Sequence, residues 1–318
     1  MHYNYLGKSD LKVSQYCLGT LMFALRPGWR NYALGENEAL PVYKRAYDLG
    51  INFFDTADIY SNGLSEELLG KLLNKIFKRK DVIIATKVGQ PMHVGRGLSK
   101  DYLRKAVDAS LKRLNTDYID LYIIHRWDYN TPIEETLDTL NNIVRQGKVR
   151  YLGASSLFAW QFCKILEINK SLNYNQFITM QNHYNLIYRE EEREMLPLCK
   201  EYDIAVTPYS PLARGFLSGE RKTDRSKNDE IAKKYYQSKN DYKILEATNR
   251  VAADLGITPV QVAISWLLQK KEIKSIILGP RNIHQLDSIV KKKPILLEKN
   301  KIEIIEKFYK PKSLAGHK

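Results

Sequence analysis

Four polar side chains follow three apolar stretches of the chain, each at the point where the stretch ends. INFFDTADIY places Asp55 and Tyr60 after such a stretch, DVIIATK ends in Lys87, and YIDLYIIH ends in His125. Apolar runs of this length are typical of buried strands in a parallel sheet. If the three strands lie side by side, the four side chains meet at the carboxyl edge of the sheet, where barrel enzymes have their active sites. The spacing therefore predicts an enzyme.

These residue types could together deliver a proton to a substrate oxygen. Tyrosine has a pKa of about 10, and an adjacent ammonium favours the phenolate, so we expect Lys87 to bring the pKa of Tyr60 towards neutrality. A buried lysine needs a partner, which Asp55 would supply, and His125 could hydrogen-bond the substrate oxygen. Taken singly, each residue also has a structural explanation, as an ion pair or as one packed tyrosine among 21. Their occurrence at consecutive strand ends favours the active site.

Several cofactor and metal motifs are missing from the sequence. There is no GxGxxG after the first predicted strand and no GxxxxGK[ST], so neither a Rossmann dinucleotide site nor a P-loop is indicated. There is no HExxH, and the six histidines are scattered, with His125 the one at a predicted strand end. We therefore expect no catalytic metal.

Apolar runs of strand type alternate with helical patterns along the chain. Residues 2–14 precede them and predict a small hairpin. Strands alternating with helices indicate parallel βαβ units, and eight such units without a break in composition favour one (β/α)8 barrel over residues 1–318 rather than two domains. The predicted strands are Gln15–Leu18, Ile51–Phe54, Val82–Thr86, Ile119–Ile124, Val149–Ala154, Phe177–Met180, Ile204–Thr207 and Ser275–Leu278.

The helical patterns fill the intervals between these strands. Thr258 and Pro259 form a typical helix start, with threonine as the cap and proline at the first helical position. Residues 215–241 are charged and predict a loop-like insertion, and an additional helix follows the eighth strand. The predicted helices are Glu36–Leu49, Ser65–Phe77, Ser99–Leu114, Ile133–Gln146, Phe158–Ile168, Glu191–Tyr202, Tyr242–Leu255, Thr258–Gln269 and the extra helix Lys299–Phe308.

The composition, 44% hydrophobic and 27% charged, is that of a globular protein. The formal net charge of +14 could attract nucleic acid, but the basic residues are dispersed and no nucleic-acid-binding motif accompanies them, so we expect neither a nucleic-acid nor a membrane partner. No apolar stretch approaches the roughly 18 residues of a membrane span, and no signal peptide is evident. Three cysteines without CxxC spacing fit reduced thiols, and we expect a cytoplasmic location.

The chain resembles the aldo-keto reductase superfamily, most closely its aryl-alcohol dehydrogenase branch. The resemblance covers nearly the whole chain and is carried by FDTADIYSNGLSEELLGK, ATKVG, IDLYIIHRWD, VRYLGASS, MQNHYNLIYREEEREMLPLCKEYDIAVTPYSPLARGFLSG, and ILGPRN with Gln285. It implies a catalytic tetrad in which Tyr60 is the general acid, Lys87 lowers its pKa, Asp55 partners Lys87 and His125 orients the carbonyl.

The resemblance also implies an NADPH molecule extended across the barrel mouth. Ser155 and Gln181 would hold the nicotinamide carboxamide, and Tyr209 would stack on the ring. The loop that begins with Ser210, Leu212 and Arg214 would cover the pyrophosphate. Arg281 would approach the 2′-phosphate, which favours NADPH over NADH. The full set of expected cofactor contacts is Gly19, Thr20, Asp55, Ser155, Gln181, Tyr209, Ser210, Leu212, Arg214, Gly279, Arg281 and Gln285.

The expected substrate is an aldehyde or ketone of aromatic, aliphatic or sugar type. Trp29 and Trp127 are candidates for an apolar substrate pocket, although both could equally serve packing. An alternative function is that of an NADPH-binding regulatory or redox-sensing subunit, because channel-associated members of the superfamily retain the tetrad. The sequence gives no indication of an oligomer.

Overall fold

A computed structural model describes residues 1–25, 33–73, 75–93, 95–218 and 229–314. In these residues, eight parallel strands lie in one sheet in the order β10-β3-β4-β5-β6-β7-β8-β9. The strands are β3 (Tyr16–Gly19), β4 (Phe53–Asp55), β5 (Ile83–Val88), β6 (Ile119–Ile124), β7 (Val149–Ser155), β8 (Phe177–Gln181), β9 (Ala205–Val206) and β10 (Ile276–Leu278).

The sheet closes on itself. The first strand of the sheet pairs with the last, with Cys17 opposite Ile277. At the seam between β9 and β10, the amide of Val206 donates to the carbonyl of Glu272 (2.8 Å), and the amide of Ile277 donates to the carbonyl of Pro208 (3.0 Å). The predicted (β/α)8 barrel is therefore confirmed, since a closed ring of eight parallel strands satisfies every backbone edge.

Helices surround the ring in the described ranges. Their apolar faces pack on the outward side chains of the strands, such as Leu18 and Phe54, in one extended core. The helices are α1 (Glu36–Asp48), α2 (Leu64–Leu72), α3 (Lys100–Leu114), α4 (Ile133–Arg145), α5 (Ala159–Ser171), α6 (Met195–Glu201), α7 (Glu230–Tyr235), α8 (Lys239–Asp254), α9 (Pro259–Leu268), α10 (Ile283–Val290) and α11 (Lys299–Glu306).

An N-terminal hairpin closes the bottom of the barrel, as predicted. Its strands, β1 (Tyr3–Tyr5) and β2 (Lys12–Ser14), pair antiparallel. Leu6, Leu11 and Val13 join a second buried cluster made of inward side chains of the ring, including Cys17 and Phe53. Gly7 has a φ of +55°, and a Cβ there would meet the carbonyl oxygen of Ile178 at 2.8 Å, so the turn of the hairpin lies directly on the strands.

Two predicted helices have different limits in the structure. The helix predicted over Ser65–Phe77 ends at Leu72, because Leu73 adopts extended backbone with ψ of 134°. The helix predicted over Glu191–Tyr202 begins only at Met195, after a separate 3-10 turn at Glu190–Glu192. The later start places Pro197 in the first turn of the helix, where its missing amide hydrogen breaks no hydrogen bond within the helix.

Two short helices were not predicted. Ile283–Val290 follows β10, and its start is capped by Asn282, whose Oδ1 accepts from the amide of Gln285 at 2.9 Å. Glu230–Tyr235 lies within the segment predicted as a loop-like insertion, and Asp229 caps it by accepting from the amide of Ala232 at 3.1 Å. The extra helix after the barrel is confirmed as Lys299–Glu306.

In the described ranges, no single helix combines the length and apolar composition that crossing a membrane requires. Lys239–Asp254 and Pro259–Leu268 reach that length and composition only as a pair, across a bend of 98°.

Candidate active site

Three of the four residues that follow the predicted strands are joined through one ammonium group. Nζ of Lys87 donates to Oδ1 of Asp55 at 2.6 Å, to the carbonyl of Thr56 at 2.7 Å and to the hydroxyl of Tyr60 at 3.2 Å. Lys87 and Asp55 are buried, with side-chain exposures of 0% and 3%. All three ammonium hydrogens therefore have acceptors, which keeps a buried charge tolerable.

The strand register brings these residues together. Asp55 is the last residue of β4, Lys87 lies near the end of the neighbouring β5, and His125 directly follows β6. Tyr60 begins a 3-10 turn in which Ser61 and Asn62 have φ of +48° and +56°. These two left-handed residues reverse the chain, so the tyrosine ring returns to the strand ends.

His125 lies beside the tyrosine. The two rings are 6.0 Å apart and nearly perpendicular, at 78°. Nδ1 of His125 is buried and has no hydrogen-bond partner among the described residues. Burial, with the charges of Arg126 and Lys87, holds the pKa of His125 well below its ordinary value of 6.5. The imidazole is therefore neutral at physiological pH and can hydrogen-bond a carbonyl oxygen without carrying charge.

The expectation for the acidity of Tyr60 is wrong in direction. Burial raises the pKa of Tyr60 above 10.0, and Asp55 adds to the rise, while Lys87 lowers the pKa only in part. The prediction considered only the ammonium of Lys87. It neglected two effects that raise the pKa, the loss of water around the phenol and the negative charge of the nearby carboxylate. A raised pKa keeps the hydroxyl protonated at neutral pH, which a proton donor requires.

The charge of Lys87 is maintained in the same way. Burial opposes the ammonium, but Asp55 and Tyr60 outweigh it, and the pKa of Lys87 is raised above 10.5. The second oxygen of Asp55 accepts from Nε2 of Gln181 at 2.8 Å. Gln181 thus holds the carboxylate of Asp55 in the orientation in which it accepts from Lys87.

Sequence reasoning missed a second buried carboxyl group close to this site. Asp58 is 2% exposed, and neither of its carboxyl oxygens has a hydrogen-bond partner among the described residues. Burial and the neighbouring Glu66 raise the pKa of Asp58 to about 8. Its signal was its place in DTAD, three residues after Asp55 and two before Tyr60. A carboxyl group with this pKa is mostly protonated at pH 7, so it adds little negative charge beneath Tyr60.

A cleft of about 460 Å³ opens at the carboxyl ends of the strands. Its size fits an extended small ligand, because ligand sites usually measure about 300 to 1,000 Å³. Thirteen of the residues predicted from the sequence line it: Gly19, Asp55, Tyr60, His125, Ser155, Gln181, Tyr209, Ser210, Leu212, Arg214, Gly279, Arg281 and Gln285.

One wall of the cleft is aromatic. Tyr209 stacks on His183, with ring centroids 5.3 Å apart and planes 10° apart, and His183 stacks in turn on Tyr188 at 4.0 Å. The hydroxyl of Tyr209 lies 3.1 Å from Oγ of Ser156. This stack holds the Tyr209 ring in a fixed orientation, as a platform for a flat ligand.

The loop after β9 is held in place by a buried ion pair. Nε of Arg214 donates to Oδ2 of Asp229 at 2.6 Å, and the two side chains are 8% and 1% exposed. Ser210 and Arg214 both have positive φ, at +54° and +58°. The pair fastens one end of the loop to the start of the helix Glu230–Tyr235.

The far end of the cleft holds Arg281 and Gln285. The side-chain oxygen of Gln285 accepts from the amide of Arg281 at 2.8 Å, which ties β10 to the start of the helix Ile283–Val290. Nε of Arg281 is buried and without a hydrogen-bond partner in the described part of the chain. With an aromatic platform at one end and a buried guanidinium nitrogen at the other, the cleft suits a long ligand that carries a flat ring and an anionic group.

Lys87, Thr20 and Trp127 were also predicted and are not in the cleft lining; Lys87 reaches the cleft through its hydrogen bond to Tyr60. The Thr20 side chain is fully buried, and its Oγ1 donates to the carbonyl of Asp55 (3.0 Å) and lies 2.7 Å from Oγ of Ser65. Trp127 packs instead against Trp160, with ring centroids 5.8 Å apart. Trp29 lies outside the described residues. The side chains of Thr20 and Trp127 thus make packing and hydrogen-bond contacts within the protein, and their predicted ligand contacts stay predictions.

The described residues contain no group of three or more histidine, cysteine, aspartate or glutamate side chains that could hold a metal ion.

Comparison with known proteins agrees with this geometry. The model of the Aldo/keto reductase family matches residues 17–310. The chain belongs to the aldo-keto reductase family. This aldo-keto reductase is thus an oxidoreductase, and members of the family act on carbonyl groups and use a nicotinamide dinucleotide.

The relatives include both reductases and proteins of the aryl-alcohol dehydrogenase type, which confirms the predicted branch. Versiconal hemiacetal acetate reductase of Aspergillus parasiticus is 39% identical, over 99% of this chain and 98% of that protein. An aldo-keto reductase of Metarhizium robertsii is 36% identical, over 98% and 92%. A Schizosaccharomyces pombe protein whose name contains aryl-alcohol dehydrogenase is 34% identical, over 99% and 97%.

Proposed function

We propose that this aldo-keto reductase reduces an aldehyde or ketone to an alcohol with NADPH, and that Tyr60 supplies the proton. The observation that carries the proposal is the ammonium of Lys87, which bridges Asp55 and the hydroxyl of Tyr60 at 2.6 and 3.2 Å beneath the cleft. A hydroxyl in this position can donate its proton to a carbonyl oxygen as negative charge develops there.

Each residue of the tetrad has a defined task in this reaction. Tyr60 donates its proton to the developing alkoxide, and the ammonium of Lys87 stabilises the phenolate that remains. Asp55 holds Lys87 charged and in place, and the neutral imidazole of His125 orients the carbonyl oxygen. A bound nicotinamide dinucleotide supplies the hydride.

The cleft supplies the groups that would hold this cofactor. Tyr209 offers a stacking surface for the nicotinamide, and Ser155 and Gln181 lie beside it for the carboxamide. Arg281 would bind the 2′-phosphate with charge-assisted hydrogen bonds, which are worth about 1.5 to 3 kcal/mol. This difference corresponds to a preference for NADPH over NADH of roughly ten- to a hundredfold.

The remaining sequence-based expectations are part of this proposal. We propose one domain over residues 1–318, because the first and last strands of the ring pair with each other. A cytoplasmic location, a small-molecule carbonyl substrate and the absence of nucleic-acid and membrane partners stay predictions. Relatives named for an aryl alcohol and for a hemiacetal acetate make oxygenated aromatic compounds the first substrates to test.

Replacement of the proton donor tests the proposal. Tyr60→Phe removes one hydroxyl and should lower kcat for aldehyde reduction by about 10² to 10⁴-fold, the range of a positioned general acid. NADPH affinity, measured by quenching of tryptophan fluorescence, should stay within about twofold of wild type. Tyr118→Phe is the matched control, since Tyr118 lies against Arg79 and Arg150 away from the cleft.

Two outcomes would contradict the proposal. A Tyr60→Phe enzyme with near wild-type kcat would remove Tyr60 from its role. Tight NADPH binding by the wild type, without turnover of any aldehyde or ketone in a broad panel, would favour a regulatory NADPH-binding protein.

A further inference from the structure

Arg126 directly follows His125 and lines the catalytic end of the cleft. Its Nη1 donates to the backbone carbonyl of His125, which holds the side chain near the tetrad. A guanidinium has five N–H donors, and this bond uses one of them. No other hydrogen bond of this side chain ends on a described residue, which leaves its other hydrogens open to a ligand in the cleft.

The nearest carboxylate in the sequence is already engaged elsewhere. Oδ2 of Asp128 accepts from the amide of Leu98 at 2.8 Å and from Oγ1 of Thr131 at 2.7 Å, and Oδ1 accepts from the amide of Asn130 at 2.9 Å. These bonds fix the loop after β6. In the described part of the chain, Arg126 makes no ion pair with any carboxylate, Asp128 included.

The other cations around the cleft have other roles. Arg214 is neutralised by Asp229 at 2.6 Å, and Lys87 is neutralised by Asp55 below the cleft floor. Arg281 lies at the opposite end, beyond β10. Arg126 is therefore the cation beside Tyr60 and His125 that no described carboxylate compensates.

The cleft that Arg126 lines also has apolar walls. The loops after β3 and β4 contribute Leu21, Met22 and Ile59 to its lining, and Gln90 adds one uncharged polar group. Burial dominates the pKa of Tyr60 and of His125, and the charge of Arg126 lowers the pKa of both groups. The guanidinium thus acts electrostatically on the position where a substrate carbonyl would lie.

We propose that Arg126 binds a carboxylate of the substrate, so that this enzyme prefers aldehydes or ketones with an acid group on an apolar body. The inference rests on the proposed carbonyl reduction. Planar, bidentate recognition by arginine suits a carboxylate, and the apolar side chains suit the carbon skeleton that separates it from the carbonyl. The matching ester or amide of such a substrate lacks the charge and leaves the guanidinium without its partner.

A matched pair of substrates tests this specificity. Wild-type enzyme should reduce 4-carboxybenzaldehyde with a kcat/KM about ten- to a hundredfold above that for methyl 4-formylbenzoate, the range of a charge-assisted contact. Arg126→Met should bring this ratio close to one, mainly through a higher KM for the acid. Arg126→Lys keeps the charge without the planar fork and should restore part of the preference.

Control measurements separate this role from others. Arg145→Met removes an exposed arginine outside the cleft and should keep the wild-type ratio. A wild-type ratio near one, with both aldehydes reduced, would overturn the inference but leave the proposed reaction intact. An equal loss of kcat on both substrates in Arg126→Met would make Arg126 a stabiliser of the alkoxide, and a large loss of NADPH affinity would make it a cofactor residue. Either result overturns the substrate role.

Discussion

Two buried clusters of the barrel share their chemistry but lie at opposite edges of the sheet. At the carboxyl edge, Asp55 pairs with Lys87 at 2.6 Å. At the amino edge, Asp120 near the start of β6 pairs with Arg79, also at 2.6 Å. Both aspartates are buried, and each cluster includes a tyrosine. Only the first of the two opens onto the cleft.

The clusters differ in whether a polar group remains that a ligand can reach. Asp120 also accepts from the amide of Ile84 at 3.0 Å, and the guanidinium groups of Arg79 and Arg150 both lie 3.8 Å from the ring of Tyr118. That network is closed and joins three neighbouring strands.

In the catalytic cluster the chain of contacts continues into the cleft. Lys87 donates its last hydrogen to the hydroxyl of Tyr60, and that residue lines the cleft beside His125. A buried ion pair serves the stability of the fold when each of its polar groups hydrogen-bonds to another group of the protein. It can serve chemistry when one end is a titratable hydroxyl that a substrate can reach.

Removing the two cations should therefore have different consequences for the reaction. Lys87→Met should lower kcat for aldehyde reduction by about 10³-fold or more, because the phenolate of Tyr60 loses its counter-charge. Thermal unfolding should show a loss of stability as well, since Asp55 is left buried without its partner. A Lys87→Met enzyme with a normal kcat would contradict the role of this pair in the reaction.

Arg79→Met should affect stability alone. Removal of one partner of a buried ion pair costs about 3 to 5 kcal/mol, and chemical denaturation should show a loss near the lower limit, because Arg150 still approaches Asp120 at 3.4 Å. The folded variant should keep the wild-type kcat at a temperature well below its transition. A kcat that falls together with stability would mean that the amino edge is coupled to the active site.

The pH dependence of the reaction should report the catalytic cluster. The pKa of Tyr60 is raised above 10.0 and that of His125 is well below 6.5. Between these values Tyr60 stays protonated and His125 stays neutral, which are the forms that reduction requires. We expect kcat/KM for reduction to be flat from pH 6.5 to 10 and to fall by about tenfold per pH unit once Tyr60 ionises. Alcohol oxidation needs the phenolate and should rise with pH instead. A bell-shaped reduction profile centred near pH 7 would contradict this assignment.

Asp58 should give the smallest effect, and it concerns stability. The pKa of this carboxyl group is about 8 in the folded chain and 3.8 in an ordinary setting, so the folded state binds an extra proton between these values. Stability therefore decreases as pH rises through this window. The melting temperature of Asp58→Asn minus that of wild type should be higher at pH 8 than at pH 5. The increase should be about 2 °C for each kcal/mol of stability that the wild type loses between these pH values. An identical difference at both pH values would refute the raised pKa.

The sequence predicted the positions of the catalytic cluster more reliably than its energetics. Asp55, Lys87 and His125 follow apolar runs, and strand register alone brings such residues together. The pKa of Tyr60 was predicted in the wrong direction, because it depends on burial and on a carboxylate across the site. Those distances do not follow from spacing along the chain.

Other differences have similar causes. The helix Ile283–Val290 has a clear cap in Asn282, but its short apolar face gives little periodic signal. The position of Thr20 after a glycine predicted a close approach of backbone to a ligand, but it gave no sign that the side-chain hydroxyl hydrogen-bonds the backbone carbonyl of Asp55 in the core. The sequence predicted no role for Arg126. An arginine next to a histidine is not a recognisable motif, and only the structure shows that no described carboxylate pairs with it.

The closure of the ring also shapes how the chain can be made. β3 is synthesised well before its partner strand β10, since Tyr16 pairs with Ile276, which follows 260 residues later. At about 5 to 20 residues per second, translation of that interval takes roughly 13 to 50 s. During this time one edge of the growing sheet has no partner strand, and such edges readily pair with other chains. Nascent chains of this protein are therefore open to association with one another through this edge.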